Sequence, residues 1–141
     1  MNRKQASRIE KELRARGVHK PYVSPVIERT GLDSFAQGKG WEIDSYPLSA
    51  RIVPGFDKEL GPTWQVTVND CSLPRIGQDA RVAERVLTMG QPITQHVADI
   101  LLHLHREAYE RAKGQEQAAM ARSRAAQQQH MTAMAERTVS A

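Results

Sequence analysis

The sequence predicts an α+β protein: a short N-terminal helix, a small antiparallel three-stranded sheet, and two C-terminal helices with a long helical tail. Three observations predict it. Between Trp41 and Asn69 apolar residues recur at every second position, the pattern of strands covered on one face. From Pro92 to about Lys113 the period becomes that of an amphipathic helix. After Gly114 alanine and glutamine dominate, with neither proline nor another glycine, so helix propensity is high and little drives packing.

A chain of 141 residues can hold one domain with a real core and is too short to expect two. With 40% hydrophobic residues and only 5% aromatic, the core is modest and carries polar extensions. The expected organisation is a basic helical arm over 1–20, a small α+β domain over 21–113 and an Ala/Gln/Met-rich tail over 114–141. Charge supports that division. Positions 1–20 carry seven Lys and Arg against Glu10 and Glu12, so a net charge of +4 leaves the rest of the chain at −1. The single cysteine, Cys71, excludes an internal disulfide and a multi-cysteine zinc site. No stretch approaches the ~18 apolar residues of a membrane span. The start, MNRKQASRIEK, lacks the apolar run of a signal peptide, so a cytoplasmic product is expected.

In chain order, residues 2–16 read as a helix stopped by Gly17. Ala6, Ile9 and Leu13 form a narrow apolar seam, and Arg3, Lys4, Ser7, Lys11 and Arg14 cluster opposite. Glu10 to Arg14 and Glu12 to Arg16 have the favourable spacing of four. Two readings stand side by side. One is an anion-gripping arm built on Arg3, Lys4, Arg8, Lys11 and Arg14. The other is a solvated face tied down by three apolar side chains.

His19 to Gly40 reads as irregular, broken by Pro21, Pro25, Gly31, Gly38 and Gly40, with Val23, Val26 and Ile27 forming one short strand or helical turn. Gly38-Lys39-Gly40 is no P-loop, because that needs G-x-x-x-x-G-K-[ST]; the glycines are expected in a tight turn. The three strands follow, with Trp41, Ile43, Leu48, Ala50, Ile52, Trp64, Val66 and Val68 facing inward. Pro47 should interrupt pairing or mark an edge, and Pro54 to Pro62 reads as a loop. Asp79 is placed as the cap of a ten-residue helix with Val82, Ala83, Val86 and Leu87 on its apolar side.

The helix from Pro92 puts Ile93, Val97, Ile100, Leu101, Leu104 and Ala108 on one face. Leu102 and Tyr109, with Ala98, lie roughly 120–150° away. If the helix continues through Gly114, Met120, Met131 and Met134 fall in line with them. A helix with two apolar faces needs a second surface to cover the other one. Alone the tail should fray; in an assembly it can lie against a neighbour, methionine supplying adaptable contacts.

Chemistry is sparse. His96, Asp99, His103 and Glu107 share a stripe, but the two histidines are two turns, about 10 Å, apart and cannot share one ion. Cys71 beside Asp70 has no histidine placed by sequence to activate it. No nucleophile elbow or dinucleotide fingerprint occurs, which removes any warrant for naming a reaction. No catalytic residue, cofactor or metal is expected, and a small hydrolase or metalloenzyme would rest on the histidine–carboxylate stripe alone.

The basic N-terminal helix, the tryptophan-bearing meander ending TWQVTV and the Ala/Gln/Met-rich tail together resemble small accessory or virion structural proteins of tailed bacteriophages. The resemblance implies a non-enzymatic component of head–tail or tail assembly that docks on a larger ring or shell. It would be made in the host cytoplasm and then carried in the virion. Leu102, Tyr109, Met120, Met131 and Met134 are the expected contacts to other protein subunits. The alternative is a nucleic-acid-binding or regulatory module using the basic arm.

Overall fold

The computed structural model describes residues 2–73 and 80–140, the side chains of 138–140 excepted. The order is α1 (Arg3–Ala15), β1 (Tyr22–Arg29), β2 (Phe35–Ser45), β3 (Leu48–Asp57), β4 (Gly61–Asp70), β5 (Arg81–Thr88) and α2 (Ile93–Ser140). The class is α+β. The three-stranded expectation is wrong: the sheet is a five-stranded antiparallel meander, β1-β2-β3-β4-β5, accompanied by two helices rather than three. The chain divides into two compact units, one up to Arg106 and one from Glu107 onward.

Both missing strands have physical reasons. The segment 81–88 meets the helical spacing with Val82, Ala83, Val86 and Leu87, yet it pairs along β4, Trp64 with Leu87 and Val68 with Ala83. Without it the backbone groups on that side of β4 would lack ladder partners, a cost helix propensity does not offset. A register shift between Val68 and Asn69 lets both Val82 and Ala83 reach the core. The proposed helix cap, Asp79, lies outside the described residues.

The second missing strand is β1. Pro25 cannot donate to a ladder, but β1 is an edge, and the irregularity between Pro25 and Ile27 absorbs the defect. Gly38 and Gly40 sit inside β2 rather than in a turn. A Cβ on Gly40 would overlap the Ile52 carbonyl oxygen and press on Val53 and Val26, so this glycine permits close strand approach. The segment 54–62 is likewise mostly hairpin: Pro54 pairs with Trp64 and Asp57 with Gly61. Asp57 Oδ1 accepts the Leu60 and Glu59 N–H groups, which closes the turn and holds its carboxyl below the usual range. Pro47 lies in the β2–β3 turn after a cis Tyr46–Pro47 bond.

In the first unit one face of the sheet carries the core. Val23, Ile43, Ala50 and Val68 form one cross-strand row, and Trp41, Ile52 and Val66 the next; all are buried. Val97, Ala98, Leu101 and Leu104 of α2 and Ala6 and Leu13 of α1 join the same cluster. Each fully buried Leu or Val contributes about 1.5–3 kcal/mol. The other face is polar, with Glu42, Arg51, Thr67 and Glu84 in one row of neighbours. Trp41 is buried as expected of an inner face, whereas Trp64 is only half-buried.

α1 begins with a capping box: the Asn2 side chain accepts the Gln5 N–H at 2.9 Å, and Gln5 Oε1 accepts the Asn2 N–H at 3.0 Å. It ends with Gly17 at φ +101, Gly17 N–H donating to Arg14 O and Val18 N–H to Leu13 O. Val18 and Leu13, both buried, complete that cap with an apolar contact across the turn.

Candidate functional site

The five basic residues of α1 are sorted by one buried acid. Glu10 is 5% exposed and accepts both the Val23 N–H, at 2.8 Å, and the Arg3 guanidinium, at 2.8 and 2.9 Å. Arg3 also donates to the Val23 carbonyl at 3.0 Å and lies over the Tyr22 ring at 5.0 Å. The two side chains thereby serve Val23, on an edge strand, as a neighbouring strand would. Arg3 is spent on this clamp. Lys4, Arg8 and Lys11 line a shallow outward face with Ser7, and Arg14 is exposed on its flank. Glu10 therefore does not pair with Arg14; Glu12 and Arg16 approach to 3.9 Å.

α2 carries the residues expected to contact partners. Along the second apolar line Ala98 is buried, Leu102 is half-buried against the core, and Tyr109, Met120, Met131 and Met134 are exposed. Leu102 thus belongs largely to the body of its own unit. In the second unit every described side chain from Tyr109 to Arg137 is exposed.

A further apolar surface lies in segments that the sequence pattern left as turns. The meander puts the β1–β2 and β3–β4 turns at the same end of the sheet. Ile27, Leu32, Phe35, Phe56 and Leu60 are all exposed there. The irregular 19–40 reading hid the first three, and the 54–62 loop the other two. Once hairpin pairing is known, the topology alone brings them to one end.

A close serine–histidine contact that local spacing does not suggest joins β2 to α2. Ser45, ending β2, is 1% exposed; its Oγ lies 2.5 Å from the His19 carbonyl and 2.8 Å from His105 Nε2. A carbonyl can only accept, so the serine proton points to His19 and His105 Nε2–H donates to Ser45 Oγ. That is the reverse of an activated nucleophile, where histidine must accept the hydroxyl proton. Burial holds the His105 pKa below 6.5, the charge of His19 adds to the effect, and Asp70 opposes it. Asp70 accepts the Ser72 N–H and hydroxyl.

His96 is half-buried, and Asp99, His103 and Glu107 are exposed along α2. Among the described residues no group of three or more His, Cys, Asp or Glu side chains could hold a metal ion. Cys71 is exposed, its N–H donating to the Pro47 carbonyl. Among the described residues no helix is long and apolar enough to cross a membrane. Comparison with known protein families, curated proteins and solved structures brings no match for this chain.

Proposed function

We propose that this chain is a non-enzymatic structural protein that docks on other protein subunits through the later part of α2. One observation carries the reading: Tyr109, Met120, Met131 and Met134 are 65, 50, 64 and 54% exposed along a single stripe. Residues 107–140 span about 50 Å of helix. A monomeric protein gains nothing by holding such a stripe in water, whereas an assembly gains about 1.5–3 kcal/mol for each such side chain it fully covers. Methionine suits that role because its flexible thioether adapts to the surface it meets. The exposed apolar side chains at the turn end of the sheet offer a second contact area of the same kind. The direction of the Ser45 proton supports a non-catalytic reading of the nearest serine–histidine pair.

The setting implied by the resemblance is a bacteriophage particle, with the chain as a minor component near the head–tail junction or tail. Genes for portal, terminase or tail proteins beside its own would support that placement. The docking reading itself is tested by sedimentation of the full chain and of a chain ending at Lys113. Association of the full chain alone supports it, and loss of association in Met120→Gln/Met131→Gln/Met134→Gln assigns the face.

A further inference from the structure

We propose that the outer face of α1 binds the phosphate backbone of duplex nucleic acid, without regard to sequence. The site is Lys4, Arg8 and Lys11, with the Ser7 hydroxyl among them and Arg14 at the flank. Its making begins with Glu10. Left on the surface, that carboxylate would neutralise part of the helix; buried on the Val23 N–H and closed by Arg3, it is withdrawn from the outer face. Glu12, the other acid of α1, approaches Arg16. Among the described residues no carboxylate lies within ion-pair distance of Lys4, Arg8 or Lys11.

The helix bearing these cations is fixed before any ligand arrives. It is capped at both ends, and Ala6 and Leu13 anchor it in the core. Lys4, Arg8 and Lys11 are four and three residues apart, spanning about 10.5 Å of helix axis. One strand of duplex DNA carries a phosphate for every ~3.4 Å of its axis, so a row of cations this long meets a densely charged stretch of backbone. A flexible arm would lose conformational freedom on meeting that row; a docked helix has already lost it.

The composition of the face selects nucleic acid over an acidic protein. Protein interfaces centre on buried apolar or aromatic anchors, whereas nucleic-acid interfaces are polar and strongly positive. Here the lining is two lysines, an arginine and a serine, and Ala6, Ile9 and Leu13 are turned into the core. Contacts from these side chains to phosphate oxygens carry no sequence information, hence the expected absence of sequence preference.

The test is fluorescence anisotropy of the full chain with a labelled 20-base-pair duplex of arbitrary sequence, from 20 to 100 mM salt. Three phosphate contacts predict a logarithmic slope of about −2.7, a loss of roughly 80-fold in affinity over that range. Lys4→Gln/Arg8→Gln/Lys11→Gln should abolish binding with an unchanged circular dichroism spectrum. Lys39→Gln/Arg51→Gln/Lys58→Gln, an equal charge change on β2, β3 and the β3–β4 turn, should leave most of it. Two duplexes of unrelated sequence should bind alike. Binding that survives the α1 substitutions, no binding at 20 mM salt, or equal binding of poly-glutamate would overturn the proposal, the last result assigning the face to an acidic protein. These outcomes do not bear on association through α2.

Discussion

A buried carboxylate, Glu10, and a half-buried imidazole, His105, each tie a helix to the sheet. Glu10 accepts from Arg3 and from the backbone of an edge strand, so its removal strands a buried N–H as well as a cation. Glu10→Ala should cost about 1–3 kcal/mol in chemical denaturation, and Glu10→Gln, which keeps an acceptor for Val23, distinctly less. His105 sets a pH dependence. Its folded pKa lies below the unfolded value of 6.5, so the unfolded chain binds the proton more readily. The stability linked to it is complete above about pH 6.5 and is lost as pH falls through the folded value. The midpoint of thermal unfolding should therefore drop between pH 7.5 and 5, and His105→Gln should flatten that drop. Neither site was legible in the sequence. Glu10 has Arg14 at the favourable spacing of four, but burial beside β1 gave the contact to Arg3, seven residues away. Ser45 and His105 are sixty residues apart and meet only because α2 packs across the sheet.

At the level of elements, local pattern revealed what local physics decides. The central strands, the N-terminal helix with its Gly17 stop and the long C-terminal helix follow from alternation, capping and propensity within each segment. The two outer strands do not, because strand or helix there depends on what lies alongside. The apolar spacing of 82–87 fits either state, and the open side of β4 chooses. Gly40 shows the same dependence: its role is set by the Ile52 carbonyl twelve residues on. Gly40→Ala should destabilise the sheet by about 1–3 kcal/mol, seen as a lower denaturation midpoint. Gly114→Ala gives the opposite sign. Nothing lies within 4 Å of the added Cβ, and the position is inside a helix, so helicity should rise with a gain of about 1 kcal/mol.

For the whole molecule, the consequence of the fold is an uneven distribution of apolar surface. The first unit buries Val23, Ile43, Ile52, Val66, Val68 and Trp41 on one face of the meander, yet leaves Phe35, Phe56 and their neighbours in water. The second unit places Tyr109 and three methionines in water along one helical stripe. The stripe was legible from spacing alone; the turn-end residues were not, since they come together only through strand order. Sedimentation velocity on the full chain and on the chain ending at Lys113 tests the central claim most directly. The account predicts a concentration-dependent assembly of the full chain that the shortened chain does not form. Two monomers, indistinguishable in association at every concentration, would contradict it.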